Sequence, residues 1–122
     1  MTLSQKQAVH TRLMMRLLAW AYLQPMIASG AMYFKVTWVV RSIETQRVLV
    51  KAGRSRTMGS AHLNGLAWDI QLYWRNGEPI WDKEHYIWLG EEAERIGIKW
   101  GGRWTSISDP YHFQYAGEKR KP

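Results

Sequence analysis

Two short segments hold the residues best suited to chemistry: Ser60-x-His62-x-x-Gly65-x-Ala67-x-Asp69, and Asp109-Pro110-Tyr111-His112-Phe113-Gln114. The first sets a loop histidine before a strand-borne aspartate, and Gly65 lets the loop fold back so that both side chains can reach one ion. Asp69 lies among Trp68, Ile70 and Leu72. A carboxylate in such surroundings is costly to bury without a cationic partner. The second segment places a carboxylate three residues before a histidine at the start of a short apolar strand. The chain has no Cys, so any metal must be held by histidine and carboxylate. His62, Asp69 and His112 would hold zinc and leave a fourth position open, the arrangement of a catalytic site. Zinc lowers the pKa of its water from about 15.7 towards about 7. A neighbouring carboxylate then accepts the proton and passes it to a leaving amine, and Asp109 is the candidate for that general base.

These residues need elements to position them. Residues 4–24 are expected to form an amphipathic helix with a stripe through Leu13, Leu17 and Ala21, stopped near Pro25 and followed by a loop at Ser29-Gly30. The β-branched and aromatic run from Tyr33 to Val40 predicts a strand, and residues 43–51 a short helix. Residues 51–59 read as a basic, Gly-containing loop. Leu66 to Trp74 predicts a second strand, with Asn76-Gly77 turning the chain into a returning segment at Pro79-Ile80-Trp81. Asp82 is expected to cap a helix over 83–96, whose apolar face is Tyr86, Leu89, Ala93 and Ile96 and whose stop is Gly97. Short strands are expected at Ile98–Trp100 and Tyr111–Tyr115, on either side of Gly101-Gly102. The tail from Gly117 reads as frayed.

The 122 residues fit one domain, read as spanning 1–122 with no separate binding domain and expected to be a monomer. Charge is uneven: of the 17 Lys and Arg, nine lie in residues 1–56 against Glu44 alone, while residues 57–122 hold eight against nine acids. The basic half points to an anionic partner, though charge does not identify it. Eight Trp and six Tyr imply an aromatic core or groove, with Trp74, Trp81 and Trp104 the better candidates for a groove wall. Lys6, Arg12 and Arg16 before Leu17–Leu23, with Ser29-Gly30-Ala31 beyond, imitate a signal peptide. The apolar run is short and broken by Gln24-Pro25, which favours a buried helix over a cleaved leader.

Taken together, Arg41-Ser42 with Gln46, Gly-Arg-Ser-Arg at 53–56, SAHLNGLAWD at 60–69, WGGRW at 100–104 and DPYHF at 109–113 resemble the VanY-like zinc peptidases of the D-Ala-D-Ala carboxypeptidase superfamily. Within it they look most like compact phage endolysins that act as L-alanyl-D-glutamate peptidases. The resemblance runs from about Val36 to Tyr115. It implies an α+β fold with a small antiparallel sheet flanked by helices, the D-Ala-D-Ala peptidase or hedgehog-like zinc fold. It places zinc on His62, Asp69 and His112, the base on Asp109, and on Arg41 the cation that polarises the scissile carbonyl. Ser60 would steady the loop or touch substrate. Three positions depart from the pattern: Tyr111 where Pro is common before the last His, Ala61 where Arg is common, and Arg103 where an acid is common.

The implied function is zinc-dependent cleavage of the L-Ala–D-Glu bond in the peptidoglycan stem peptide. The enzyme would be made in the host cytoplasm and act in the periplasm on the anionic envelope of a Gram-negative host, with a holin-type pore for release. The alternative is a D-alanyl-D-alanine carboxypeptidase or dipeptidase. A third reading, a non-enzymatic wall- or nucleic-acid-binding module, is disfavoured because Tyr33–Trp38 interleaves only Lys35 with its aromatics; no nucleic-acid partner is expected. Singly, each His or Asp has a plain reading as a surface, core or turn residue, and Arg41 one as a structural partner of Glu44 or Asp69. His10 and His85 are assigned no special role. The joined motifs outweigh these readings for the metal site.

Overall fold

A computed structural model describes residues 1–38, 47–48, 50–53, 64–105 and 107–117. Helix α1 (Leu3–Tyr22) opens with a capping box: Thr2 Oγ1 accepts from the Gln5 amide and Gln5 Oε1 accepts from the Thr2 amide. Its buried stripe is His10, Met14, Leu17, Leu18 and Ala21, spaced at three and four residues as one face of a helix requires. Complete burial of Met14 and Leu17 is worth roughly 1.5–3 kcal/mol each. Pro25 does more than end α1. It opens a short helix α2 (Pro25–Ala28) at the first helical position, where its missing N–H costs nothing. Gly30, at φ +79°, then turns the chain into the sheet.

The sheet has strands β1 (Met32–Trp38), β2 (Ala67–Trp74), β3 (Ile98–Trp100) and β4 (His112–Tyr115). Their order is β1-β2-β4-β3, and all neighbours are antiparallel. Strand β1 pairs with β2 from Met32↔Trp74, with a register shift between Val36 and Trp38. The Asn76-Gly77 turn forms as expected: Gly77 adopts φ +93° and its amide bonds Trp74 O at 2.8 Å. The returning segment is a single bridge, Tyr73↔Pro79, rather than a strand, because Pro79 has no amide to extend the ladder.

Between the returning segment and β3 lie a 3-10 turn, Lys83–Tyr86, and helix α3, Ile87–Arg95. Asp82 occupies the cap position, but its side chain makes no capping bond. The tight turn instead uses the main chain, with the His85 amide bonding Asp82 O at 3.1 Å. Gly97, at φ +97°, ends the helix as predicted. Beyond β4, the free edge of β2 is closed by a side chain. The buried Tyr86 hydroxyl accepts from the Leu72 amide (2.8 Å) and Gln71 Nε2 (3.0 Å) and donates to Ile80 O (2.9 Å). Burial pushes the Tyr86 pKa well up, so the phenol stays protonated.

Trp68, Ile70 and Phe113 share one core cluster with Met14, Leu17, Leu89 and Ala93 from α1 and α3. Side chains alternate across a strand, so Asp69, His112 and Gln114 face the opposite side of the sheet. The fold is the α+β arrangement expected. Of the expected helix at 43–51, residues 47, 48, 50 and 51 are helical. Residues 43–46 and most of the basic loop lie outside the described residues.

Candidate metal centre

Asp69 and His112 are direct cross-strand partners on β2 and β4. Their side chains meet on the sheet face away from the helices, with His112 Nδ1 3.4 Å from Asp69 Oδ1. Asp109 joins them: one ligand atom from each of Asp69, Asp109 and His112 lies within 4.8 Å of the others. His112 is buried, and Asp69 and Asp109 are half-buried. Burial disfavours the His112 imidazolium. The hydrogen bond and charge of Asp69, the charge of Asp109 and the bond to Gln114 outweigh it, so His112 titrates above the ordinary histidine value.

The other imidazole nitrogen is also engaged. His112 Nε2 lies 2.8 Å from Gln114 Oε1, an arrangement that suits an Nε2–H donor to the amide oxygen. Nδ1 donates to Asp69 when the ring is protonated, and in the neutral Nε2–H ring it could instead ligate an ion set between it and that carboxylate. Trp104 packs its ring on the imidazole, with centroids 4.8 Å apart, covering one side of the site.

The segment carrying Asp109 is held by the Trp-Gly-Gly motif. Glycine is required at 102 and at 90 in α3 by the Trp100 indole: a Cβ at either would come within 2.2 Å of the ring. The indole N–H donates to Pro110 O at 2.8 Å. Gly101 O accepts from the Asp109 amide at 3.0 Å, and a Cβ on Gly101 would lie 2.4 Å from Asp109 O. A strand end, two glycines and one indole N–H thus fix where Asp109 sits.

Two of the three departures from the expected pattern acquire physical reasons here; Ala61 lies outside the described residues. Arg103 pairs with Glu94 at 3.0 Å and lies over the Trp100 ring at 5.4 Å, bracing the same indole from outside. Tyr111 donates from its hydroxyl to Trp81 O at 2.7 Å and sets its ring edge-on to buried Tyr86. Its own pKa is raised by burial and by the charges of Asp109 and Asp82. Trp81 is exposed beside Tyr111. Trp74 belongs elsewhere: it packs against the core and edge-on to His85, and so forms no wall of this site. His10 is buried in the core, edge-on to Trp68, and His85 faces Asp82 at 4.0 Å.

Of the expected site residues, the structure brings Asp69, His112 and Asp109 together. His62, Arg41 and Ser60 lie outside the described residues. Gln114, bonded to His112, and Trp100, bonded to Pro110 O, are contacts of the site that sequence reasoning missed. Gln114 had a signal: two residues beyond His112 in a strand, it must share that residue's face.

The donor set, an imidazole nitrogen and a carboxylate on adjacent strands with the Asp109 carboxylate from the turn before β4, could hold a divalent metal, and its nitrogen and oxygen atoms suit zinc. The class is therefore an α+β fold with a candidate His/Asp metal site at one face of its sheet. The chain belongs to the D-alanyl-D-alanine carboxypeptidase family of peptidases, whose profile matches residues 53–115. It is 30% identical over 97 residues to the peptidoglycan L-alanyl-D-glutamate endopeptidase CwlK of Bacillus subtilis, covering 65% of this chain and 58% of that one. Among solved structures it resembles the Serratia marcescens L-Ala D-Glu endopeptidase ChiX, at 33% identity and a TM-score of 0.59, over 67% of this chain and 65% of that one. It also resembles the vancomycin resistance D,D-pentapeptidase VanY in complex with Zn(II), at 23% identity and a TM-score of 0.51, over 87% and 71%. The chain thus spans 58% of CwlK and 65% of ChiX.

Proposed function

We propose that this chain is a zinc-dependent peptidase that cleaves the L-Ala–D-Glu bond of the peptidoglycan stem peptide. The observation that carries the reading is the convergence of Asp69, Asp109 and His112 within 4.8 Å. Two relatives named for that bond, CwlK and ChiX, support the choice of substrate. Asp69 and His112 Nδ1 would hold the ion, with His62 as third ligand on the strength of its motif. When bound, zinc supplies a Lewis acid and lowers the pKa of water.

The chain's own residues supply the rest. The Asp109 carboxylate accepts the proton of the attacking water and returns it to the leaving amine nitrogen. Its position is set by Gly101 and Trp100. Arg41 would bind the oxyanion, where a fixed guanidinium is worth most once water is excluded. Trp104 shields the imidazole from solvent.

We assign the chain to the phage endolysin type. It is made in the host cytoplasm, reaches the wall through a membrane pore made by a partner, and acts as a monomer in the periplasm of a Gram-negative host. The basic residues concentrated before position 57 suit an anionic envelope. Among the described residues no helix is long and apolar enough to cross a membrane.

Purified wall digested with zinc-loaded protein should yield new amine termini on D-Glu, by mass spectrometry of the muropeptides. Asp109→Ala should abolish them while zinc stays bound. The family's own description, D-alanyl-D-alanine carboxypeptidase, favours a second reading on the same site. Release of free D-Ala in place of D-Glu termini would establish that one. No new termini of either kind would refute both.

A further inference from the structure

Strands β2 and β4 place four residues as a square on the sheet face that carries the site: Ala67 opposite Gln114, and Asp69 opposite His112. Along β4, His112 and Gln114 are neighbours on that face; along β2, Ala67 and Asp69 are. Opposed residues in an antiparallel pair have Cβ atoms about 4.5–5.5 Å apart, so the methyl of Ala67 leaves the volume that the Gln114 side chain fills. Gln114 is 2% exposed and Ala67 fully buried. The Gln114 backbone is held on both sides, paired with Ala67 of β2 and Lys99 of β3. Its carbonyl oxygen therefore has little freedom to leave the 2.8 Å contact with His112 Nε2.

We infer that Gln114 is a positioning residue for the metal centre: it fixes His112 as the Nε2–H tautomer, so that Nδ1 is the nitrogen presented to the ion, and Ala67 is small in order to let it do so. The inference rests on His112 being a ligand, as in the proposed function, but not on which bond is cut. A histidine with Nε2 in water presents either nitrogen and turns about its χ2 angle. Here the amide removes both freedoms before the ion arrives. Glutamine also achieves this without charge. A glutamate would orient the ring equally well but would bring a third carboxylate to a face that already carries Asp69 and Asp109, raising the basicity of the imidazole.

The test uses the full chain labelled with nitrogen-15 histidine. Two-bond proton–nitrogen correlation spectra, assigned with His10→Gln, His62→Gln and His85→Gln variants, read the His112 tautomer directly. Zinc affinity is measured by competition with a chromophoric chelator. In the zinc-loaded wild type, Nε2 should carry the proton and Nδ1 the metal-bound shift. Gln114→Leu should lower zinc affinity by about 10–100-fold, the usual effect of removing such a partner. Gln114→Glu should restore Nε2–H and bind zinc at least as tightly as wild type. Ala67→Val, which crowds the glutamine without touching the histidine, should reproduce part of the Gln114→Leu loss.

A merely structural glutamine would lower the melting temperature in all three variants without ordering their zinc affinities in this way. Wild-type affinity in folded Gln114→Leu, or a zinc-loaded wild type with the proton on Nδ1, would overturn the inference. If Gln114→Leu does not fold, unchanged zinc affinity in Ala67→Val, or an Nδ1–H tautomer in the zinc-loaded wild type, would still overturn the inference. A protein that binds zinc through Nδ1 yet cuts no wall would sink the proposed function and leave this inference standing.

Discussion

Replacing Gly101 with alanine should damage activity more than stability. Gly101 does not adopt a positive φ, so alanine is free to take its backbone conformation and the whole effect is steric. The new Cβ would lie 2.4 Å from Asp109 O and 3.1 Å from His112 Cβ. Relief to an ordinary contact requires the Asp109 main chain to retreat by about 1 Å. It cannot rotate away, because the Asp109 amide is bonded to Gly101 O and Pro110 O to the Trp100 indole. Overpacking of this kind costs about 1–3 kcal/mol, a fall in melting temperature of roughly 5–15 °C for a domain of this size. The displaced segment carries the proposed base, and a 1 Å misplacement costs about 100-fold in rate.

Gly97→Ala is the matched control. Its left-handed φ of +97° costs alanine about 1–2 kcal/mol, but nothing lies within 4 Å of its Cβ. Both variants are compared by thermal melting and by muropeptide release at a temperature where both are folded. Gly97→Ala should lose stability alone, and Gly101→Ala stability and about two orders of magnitude in rate. Equal activity in the two would refute the view that Gly101 positions Asp109.

Three further outcomes follow. Tyr86→Phe removes one hydroxyl that serves the Leu72 amide, Gln71 Nε2 and Ile80 O; leaving buried partners unsatisfied should cost about 1–3 kcal/mol, measured by urea unfolding. The His112 shift sets a pH dependence whose sign depends on metal. With chelator present, the pKa is higher folded than unfolded, so the contribution of His112 is complete below the ordinary histidine value and is lost as pH rises through the folded one. With zinc present, stability should instead increase with pH over the same interval, because the ion requires neutral imidazole; melting curves across pH with and without chelator check both. Arg103→Ala should loosen the Trp100 indole from outside, yet leave thermal melting little changed, since its pair with Glu94 is solvent-exposed; a clear fall in melting temperature would mean that the stacking on Trp100 dominates.

Much of the fold was legible because its signals are local. The stripe Leu13, Leu17, Ala21 announced α1, although the fully buried neighbour at its start is Met14 while Leu13 is only partly covered, and Asn76-Gly77 and Gly97 announced turns that formed where expected. Of the expected ligands His62, Asp69 and His112 with Asp109 as base, the last three meet in the structure, and they were legible only through the joined motifs, since each Asp or His alone reads equally well as a surface, core or turn residue. Local signals misled where tertiary contacts decide. Asp82 has a capping residue's type, yet the 3-10 turn beside it is closed by main-chain bonds. Trp74 and Trp81 have the same composition signal, and only packing puts one against the core and leaves the other in solvent. The Trp100 clamp was illegible because it joins Gly90, Gly102 and Pro110, which no pattern in sequence connects.

The pairing of Asp69 with His112 also bears on how the chain folds. A strand slipped by one residue turns its whole side-chain pattern to the other face, so a misregistered β2–β4 pair would send one of these two groups into the hydrocarbon core and leave the other alone outside. An ion can be captured only by the correct alignment, and that alignment joins segments far apart in the chain, a contact that forms late because of its loop-closure cost. Zinc at 100 times its dissociation constant would add about 2.7 kcal/mol to that state and nothing to a slipped one. The ion would then act as a proofreader of strand register, trapping the aligned sheet before the chain ever meets its substrate.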